Sequence, residues 1–264
     1  MSSGQDWTRD EQLVALNLYG KLPFGRFDKR NRVVVAVAER LGRTPSALAM
    51  KLSNFASLDP FHIARGIRGL SKASKADRAI WSEFRERTVE LTPISESLLR
   101  ALFTKHEADA VEVVHGRGVL VFQERKPTGP TEKVASIKAR RGQQYFQQAV
   151  LNRFENRCGV TGIALREMLI ASHIVPWSHD EAERLNPNNG ICLSRLHDAA
   201  FDRCLTTFDE DYRLVLSREL RDHFGNEALR THFDLYAGKR LAFSKKLPPP
   251  SAALLARHRE RFHG

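Results

Sequence analysis

Cysteine is scarce in this chain. Three are present, Cys158, Cys192 and Cys204, an odd number without the spacing of a disulfide framework. A four-cysteine zinc site is excluded by that count. Long apolar runs are also lacking, and none approaches the roughly 18 residues that a membrane span requires. The first residues, MSSGQDWTRDEQ, do not have the basic-then-apolar pattern of a secretory signal. The expectation is a cytoplasmic protein without a membrane partner. Acidic residues are the third shortage: 31 Asp and Glu stand against 42 Lys and Arg, for a net charge of +11. Such a deficit favours a polyanionic partner.

The deficit is unevenly placed. Residues 1–92 hold sixteen basic and ten acidic side chains, residues 93–148 nine and six, and residues 149–264 seventeen and fifteen. The excess lies toward the front of the chain, where a docking module is expected.

What is present begins with helical pattern. Thr8 is a plausible N-cap, with Asp10 and Glu11 in the first turn, where the helix dipole favours acids. Asn31 to Leu41 carries an apolar stripe of Val33, Val34, Val37 and Ala38. Gly42-Arg43-Thr44-Pro45 ends one helix and starts another, because Gly terminates, Thr caps and Pro suits the first helical position. The third helix sets Leu48, Leu52 and Phe55 on one side, and Ala47, Lys51 and Asn54 on another. Two helices meeting at a short glycine-containing turn suit a helix-turn-helix reader. The phrases WTRDE and LGRTPSALAMKL resemble a Myb/SANT-type trihelical domain. Arg43, Lys51 and Asn54 are the expected nucleic-acid contacts of this module; the alternative is a packing domain whose basic face is merely solvated.

Thr92-Pro93 reads as a boundary, followed by a helix near 95–109. Val111 to Phe122, interrupted by Gly116 and Gly118, reads as a hairpin. Residues 123–133 have the Pro, Gly and charge content of a linker. An amphipathic helix follows, with Arg140 and Arg141 as further candidate phosphate contacts ahead of its apolar stripe. The division expected is therefore 1–92 as a basic helical module, 93–133 as helix, hairpin and linker, and 134–264 as the catalytic domain.

The chemistry sits between Ala171 and Asp202. A β-prone apolar run from Leu169 to Val175 carries Ser172 and His173. A polar loop leads to Asn189-Gly190 and a second apolar run, Ile191 to Leu193. Ser194 can cap a helix bearing Asp198 and Asp202, four apart and so on one face. Phosphodiester hydrolysis needs a base, something to fix that base, and a divalent cation. His173 titrates near neutrality, the Asn189 side chain or backbone can orient its ring, and two carboxylates suit Mg²⁺ or Mn²⁺.

This stretch resembles the HNH endonuclease motif, the ββα-metal fold. The resemblance rests on SHI-x-P-W, NG-x-x-L and HD-x-x-FD, and with flanks it extends over about residues 140–264. It implies an α+β chain whose nuclease domain uses His173 as base and Asn189 as orienting residue. Asp198 and Asp202 are then metal positions, with His197 a further candidate ligand. Two departures are visible: Ser172 stands where the family usually has a ligand, and aspartates stand where histidines are common. Some such proteins hold zinc with paired Cys-x-x-Cys knuckles; here Thr161 occupies the position matching the second cysteine after Cys158. Strings like RGI-x-GLS-x-AS accompany HNH domains in bacterial nucleases. The implied activity is metal-dependent cleavage of double-stranded DNA, in restriction or phage defence, with a homodimer supplying two active sites for a two-strand cut. The alternatives are a non-catalytic DNA-binding protein that keeps the fold, or a structured-RNA nuclease.

Overall fold

The computed structural model describes residues 6–66, 73–104, 109–123, 134–244 and 247–263. The linker expected at 123–133, apart from Gln123, and most of the RGIRGLSK loop lie outside these residues. The chain is α+β and divides into two compact units, Met1–Asn152 and Arg153–Gly264. No described helix is long and apolar enough to cross a membrane.

The N-terminal unit begins with α1 (Arg9–Lys21), α2 (Arg32–Arg40) and α3 (Pro45–Leu58). Their starts follow the capping chemistry. Thr8 and Glu11 close a capping box on α1, Asn31 accepts from Val33 N on α2, and Thr44 accepts from Ala47 N on α3 with Pro45 in its first turn. A short α4 (Pro60–Ala64) follows, then α5 (Lys75–Glu86), whose own box joins Ser74 and Asp77. Leu13, Leu18, Val34, Val37, Leu48, Leu52 and Phe55 are buried in one shared core.

The next helix departs from expectation. α6 runs from Thr88 to Ala101 with Pro93 inside it, where the sequence suggests a boundary and a helix near 95–109. Proline removes one backbone donor, but it falls early in the helix, and packing on α1 outweighs the local preference. Leu91, Thr92, Ser95, Glu96 and Leu99 are all buried.

That packing surrounds a polar pair. Lys21 Nζ donates to Glu96 Oε2 at 2.5 Å with both side chains fully buried, and Asn17 Nδ2 donates to Ser95 Oγ and to Glu96 Oε2. Burial pulls the Lys21 ammonium below its usual range, against the upward pull of Glu96. Removing one partner strands a charge, which typically costs about 3–5 kcal/mol. Glu96→Leu is therefore expected to lower urea stability by about that much, and adding Lys21→Met to recover most of it. A Glu96→Leu protein as stable as wild type would show that the pair is not holding α6 on α1.

The hairpin follows as expected: β1 (Asp109–Val114) pairs antiparallel with β2 (Gly118–Gln123), with Val114 opposite Gly118. Both glycines of its turn have positive φ, +82° at Gly116 and +110° at Gly118, which a side chain would resist. Beyond it, α7 (Val134–Arg153) lies against β1. Gln148 accepts from Val113 N and donates to Val111 O; Asn152 accepts from His115 N and donates to Val113 O. Two amides one helical turn apart thus stand in for a neighbouring strand along β1. They explain why the compact units divide after Asn152, whereas the sequence assigns all of α7 to the catalytic domain.

The C-terminal unit contains β3 (Leu169–His173), β4 (Gly190–Ser194), α8 (Arg195–Asp202), β5 (Thr206–Phe208), β6 (Leu214–Leu216), α9 (Arg218–Asp222), α10 (Glu227–Phe233) and α11 (Ala252–Arg259). β3 pairs with β4 and β5 with β6, both antiparallel. Ile174, Ile191, Leu193, Phe201, Phe208 and Phe233 are buried.

Candidate active site

The site is built on β3, β4 and α8. The β3–β4 register sets His173 opposite Gly190 and Ser172 opposite Ile191. β4 is buried throughout and ends at Ser194, which caps α8 by accepting from its backbone. The chain therefore turns directly from the second strand into the helix that carries the carboxylates.

His173 is half-buried at the end of β3. Its Nε2 lies 3.0 Å from Arg184 O. A carbonyl can only accept, so the neutral ring carries its proton on Nε2 and its lone pair on Nδ1. Trp177 stands edge-on to the ring at 5.7 Å. Arg184 holds that tryptophan too, donating to Trp177 O at 2.7 Å with its guanidinium over the indole. Burial lowers the His173 pKa, opposed by the Arg184 carbonyl and the charge of Asp198.

Asn189 is buried. It bonds the backbone around the histidine: Oδ1 accepts from Val175 N, and Nδ2 donates to Val175 O and Glu183 O. Its own carbonyl accepts from Ile174 N. Asn189 fixes both ends of the loop after β3, including the residue next to Arg184. The ring is oriented through that loop, and Arg184 O is the partner that the sequence reading missed.

Burial raises the Asp198 carboxyl, while the Ser172 hydroxyl, Arg195 and His173 draw it down. Desolvation, with the charge of Asp198 added, pushes Asp202 up to about 6; Arg261 and Arg203 pull the other way. Asp198 is thus within electrostatic reach of Ser172, His173 and Asp202. Ser172 Oγ is buried and completes no hydrogen bond of good geometry. Among the described residues, no group of three or more His, Cys, Asp or Glu side chains gathers as metal ligands.

His197 lies against aromatic rings. It is buried, with Nδ1 2.9 Å from Ser194 Oγ and its ring against Phe233 at 4.9 Å and Tyr236 at 5.9 Å. One residue from Asp198 is about 100° around a helix, so its ring enters the aromatic core. Burial brings its pKa down to about 4. His258 of α11 behaves alike: it stacks on Phe201 at 3.9 Å, donates from Nε2 to Phe201 O, accepts at Nδ1 from Thr207, and also titrates at about 4. Both rings brace α8 in the neutral form.

A depressed histidine pKa makes the unfolded chain bind protons first. Stability is then expected to fall as pH drops from about 6.5 toward 4, by up to about 3 kcal/mol per histidine. Urea melts across that range, on wild type and His258→Gln, check it. The variant should lose one histidine's share of the slope, and identical slopes would refute the assignment.

The expected nucleic-acid contacts on and just before α3 have partners within the N-terminal unit. Arg43 is buried and donates to both carboxylate oxygens of Glu11, at 2.9 and 2.8 Å. Lys51 Nζ donates to Asp77 Oδ1 at 2.5 Å, and Asn54 Nδ2 to Asp77 Oδ2 at 3.1 Å. These groups tie helices together inside the unit. Arg141 is buried with Nη1 on Gln144, and Arg140 is half-buried. The exposed cations of the N-terminal unit include Arg26, Lys29, Arg30 and Arg32, in and beside the loop before α2.

Residues 158–209 match the family model described as HNH endonuclease. The C-terminal unit contains an HNH domain. The match covers His173, Asn189, Asp198 and Asp202, and begins at Cys158. No curated protein matches the chain. At the start of the HNH domain, Cys158 Sγ accepts from Thr161 N, and Gly159 N donates to Cys192 O on β4. The turn is pinned to the strand by backbone bonding. An HNH domain is a nuclease-type unit and implies nucleic-acid binding.

Proposed function

We propose that the protein is a metal-dependent endonuclease that hydrolyses phosphodiester bonds in duplex DNA, serving in restriction or phage defence. The observation that carries this reading is His173, held through Nε2 by Arg184 O with Asp198 alongside. Such a ring is oriented, neutral near pH 7 and able to take a proton at Nδ1.

The residues fit a hard divalent cation. Two carboxylates that repel one another on one helix face, Asp198 half-buried and Asp202 exposed, are relieved by positive charge, and the buried Ser172 hydroxyl adds an oxygen without a completed bond. Asp198 and Asp202 would hold Mg²⁺ or Mn²⁺, with Ser172 or water beside them. When bound, the ion supplies charge neutralisation at the phosphate and the leaving oxygen. His173 Nδ1 accepts the proton of the attacking water. Arg184 O keeps the ring in the required tautomer, and Asn189 holds the loop that presents Arg184. Products would carry 5′ phosphates, as the family implies, and a homodimer would provide a second site for the other strand.

Ser172, standing where a ligand is usual, favours one second reading: a DNA-binding protein that keeps the fold without cutting. Incubation of supercoiled plasmid with Mg²⁺, Mn²⁺ or EDTA separates the two. Nicking that EDTA abolishes supports the nuclease; an intact plasmid under every metal condition supports the binder. Competition by structured RNA tests the choice of duplex DNA as substrate.

A further inference from the structure

Beside Asp202, away from the histidine, the C-terminal unit has a cleft of about 470 Å³. The end of α8, the start of α9 and the end of the chain form its walls, through Asp202, Arg203, Ser217, Glu219, Arg261 and His263. Its arginines differ from their neighbours. Arg257 pairs with Asp180 and Arg259 with Glu210. Arg203 and Arg261 have no carboxylate at ion-pair distance among the described residues, although both act on Asp202 electrostatically. Two guanidinium forks opening on one cleft match the geometry of a phosphodiester, which accepts paired N–H bonds.

Ser217 adds a third donor. Its Oγ already accepts from Leu220 N at 3.1 Å as the cap of α9, so its hydroxyl hydrogen can point at a ligand. Asp202 is the wall shared with the candidate metal site. An anion in this cleft therefore lies next to the group being cleaved. Glu219 is the opposing charge, exposed in the first turn of α9.

We propose that this cleft seats a backbone phosphate of the bound duplex DNA, next to the scissile one, gripped by Arg203 and Arg261. The inference rests on the nuclease reading but is tested without cleavage. The probe is a short labelled DNA duplex, bound to full-length protein carrying His173→Ala, in EDTA, over a salt series read by fluorescence anisotropy. Each phosphate contact contributes about 0.9 to the slope of log affinity against log salt on duplex DNA. Arg203→Gln and Arg261→Gln are each expected to lower the slope by about that amount. Arg261→Lys should keep it, and Glu219→Gln should tighten binding. Arg230→Gln, an exposed change on α10, serves as reference. Unchanged slopes in both Gln variants, or an equal loss in Arg230→Gln, would overturn the proposal. Should Arg261→Gln melt early, Arg203→Gln on the exposed end of α8 carries the same reading. Wild-type cleavage with unchanged slopes would sink the cleft alone. Lowered slopes in a protein that never cuts would sink the nuclease reading and keep the cleft.

Discussion

His173→Ala is expected to slow plasmid cleavage by on the order of 10²–10⁴-fold, the usual cost of losing a general base. The ring is placed for that one task. Its Nε2 is committed to Arg184 O, so only Nδ1 can accept a proton. Burial lowers its pKa, which keeps it neutral at pH 7 and moves the acid limb of the rate profile below the ordinary histidine value near 6.5. DNA affinity should survive, because no cation is removed at neutral pH. Rates measured at saturating Mg²⁺ or Mn²⁺, with binding measured in EDTA, give the two readouts. A variant that cuts within a few-fold of wild type would mean that water is activated by another group.

Asp198→Asn and Asp202→Asn should each remove metal-supported cleavage, and His197→Ala should not. The carboxylates couple electrostatically on one face of α8, while the His197 ring lies among Phe233 and Tyr236. Truncating a buried ring leaves a cavity, so His197→Ala should lose about 2–5 kcal/mol of stability and retain its metal preference when assayed well below its melting temperature. Asp202→Asn should move the other way. It removes the repulsion from Asp198, so without metal its melting temperature should rise at pH 7, a stability gain made at the expense of function. Cleavage and melting across a metal series decide between these outcomes. A folded but inactive His197→Ala beside an active Asp202→Asn would reverse the ligand assignment.

Local signals were legible in the sequence. Thr8, Thr44-Pro45 and Ser194 start helices where their capping chemistry suggests. Gly116 and Gly118 mark the hairpin turn. The spacing picks out His173, Asn189, Asp198 and Asp202, of which Asp198 lies within electrostatic reach of both His173 and Asp202. Long-range facts were illegible. Nothing near Pro93 announces that α1 will bury Thr92 and Glu96 deeply enough to carry the helix through it. Arg43 and Lys51 look like surface cations until Glu11 and Asp77, 32 and 26 residues away, arrive beside them. The partner of His173 Nε2 is a backbone carbonyl, which has no residue-type signature. Any residue could stand at position 184 and offer it.

Glu11 and Asp77 each answer to two neighbours. Glu11 closes the capping box of α1 and also receives Arg43; Asp77 closes that of α5 and also receives Lys51 and Asn54. The first turn of each helix is thereby conditional on a segment far away in sequence. A peptide of α1 or α5 alone keeps its box but loses the partner that holds the carboxylate in position, so its start frays. In the folded protein, opening either helix end must also release a cation of α3 or the loop before it. Helix ends are ordinarily the first amides to exchange with solvent. Here those two ends are tied to the opening of the unit as a whole, and replacing Glu11 together with Arg43 should cost less than the two single losses added together.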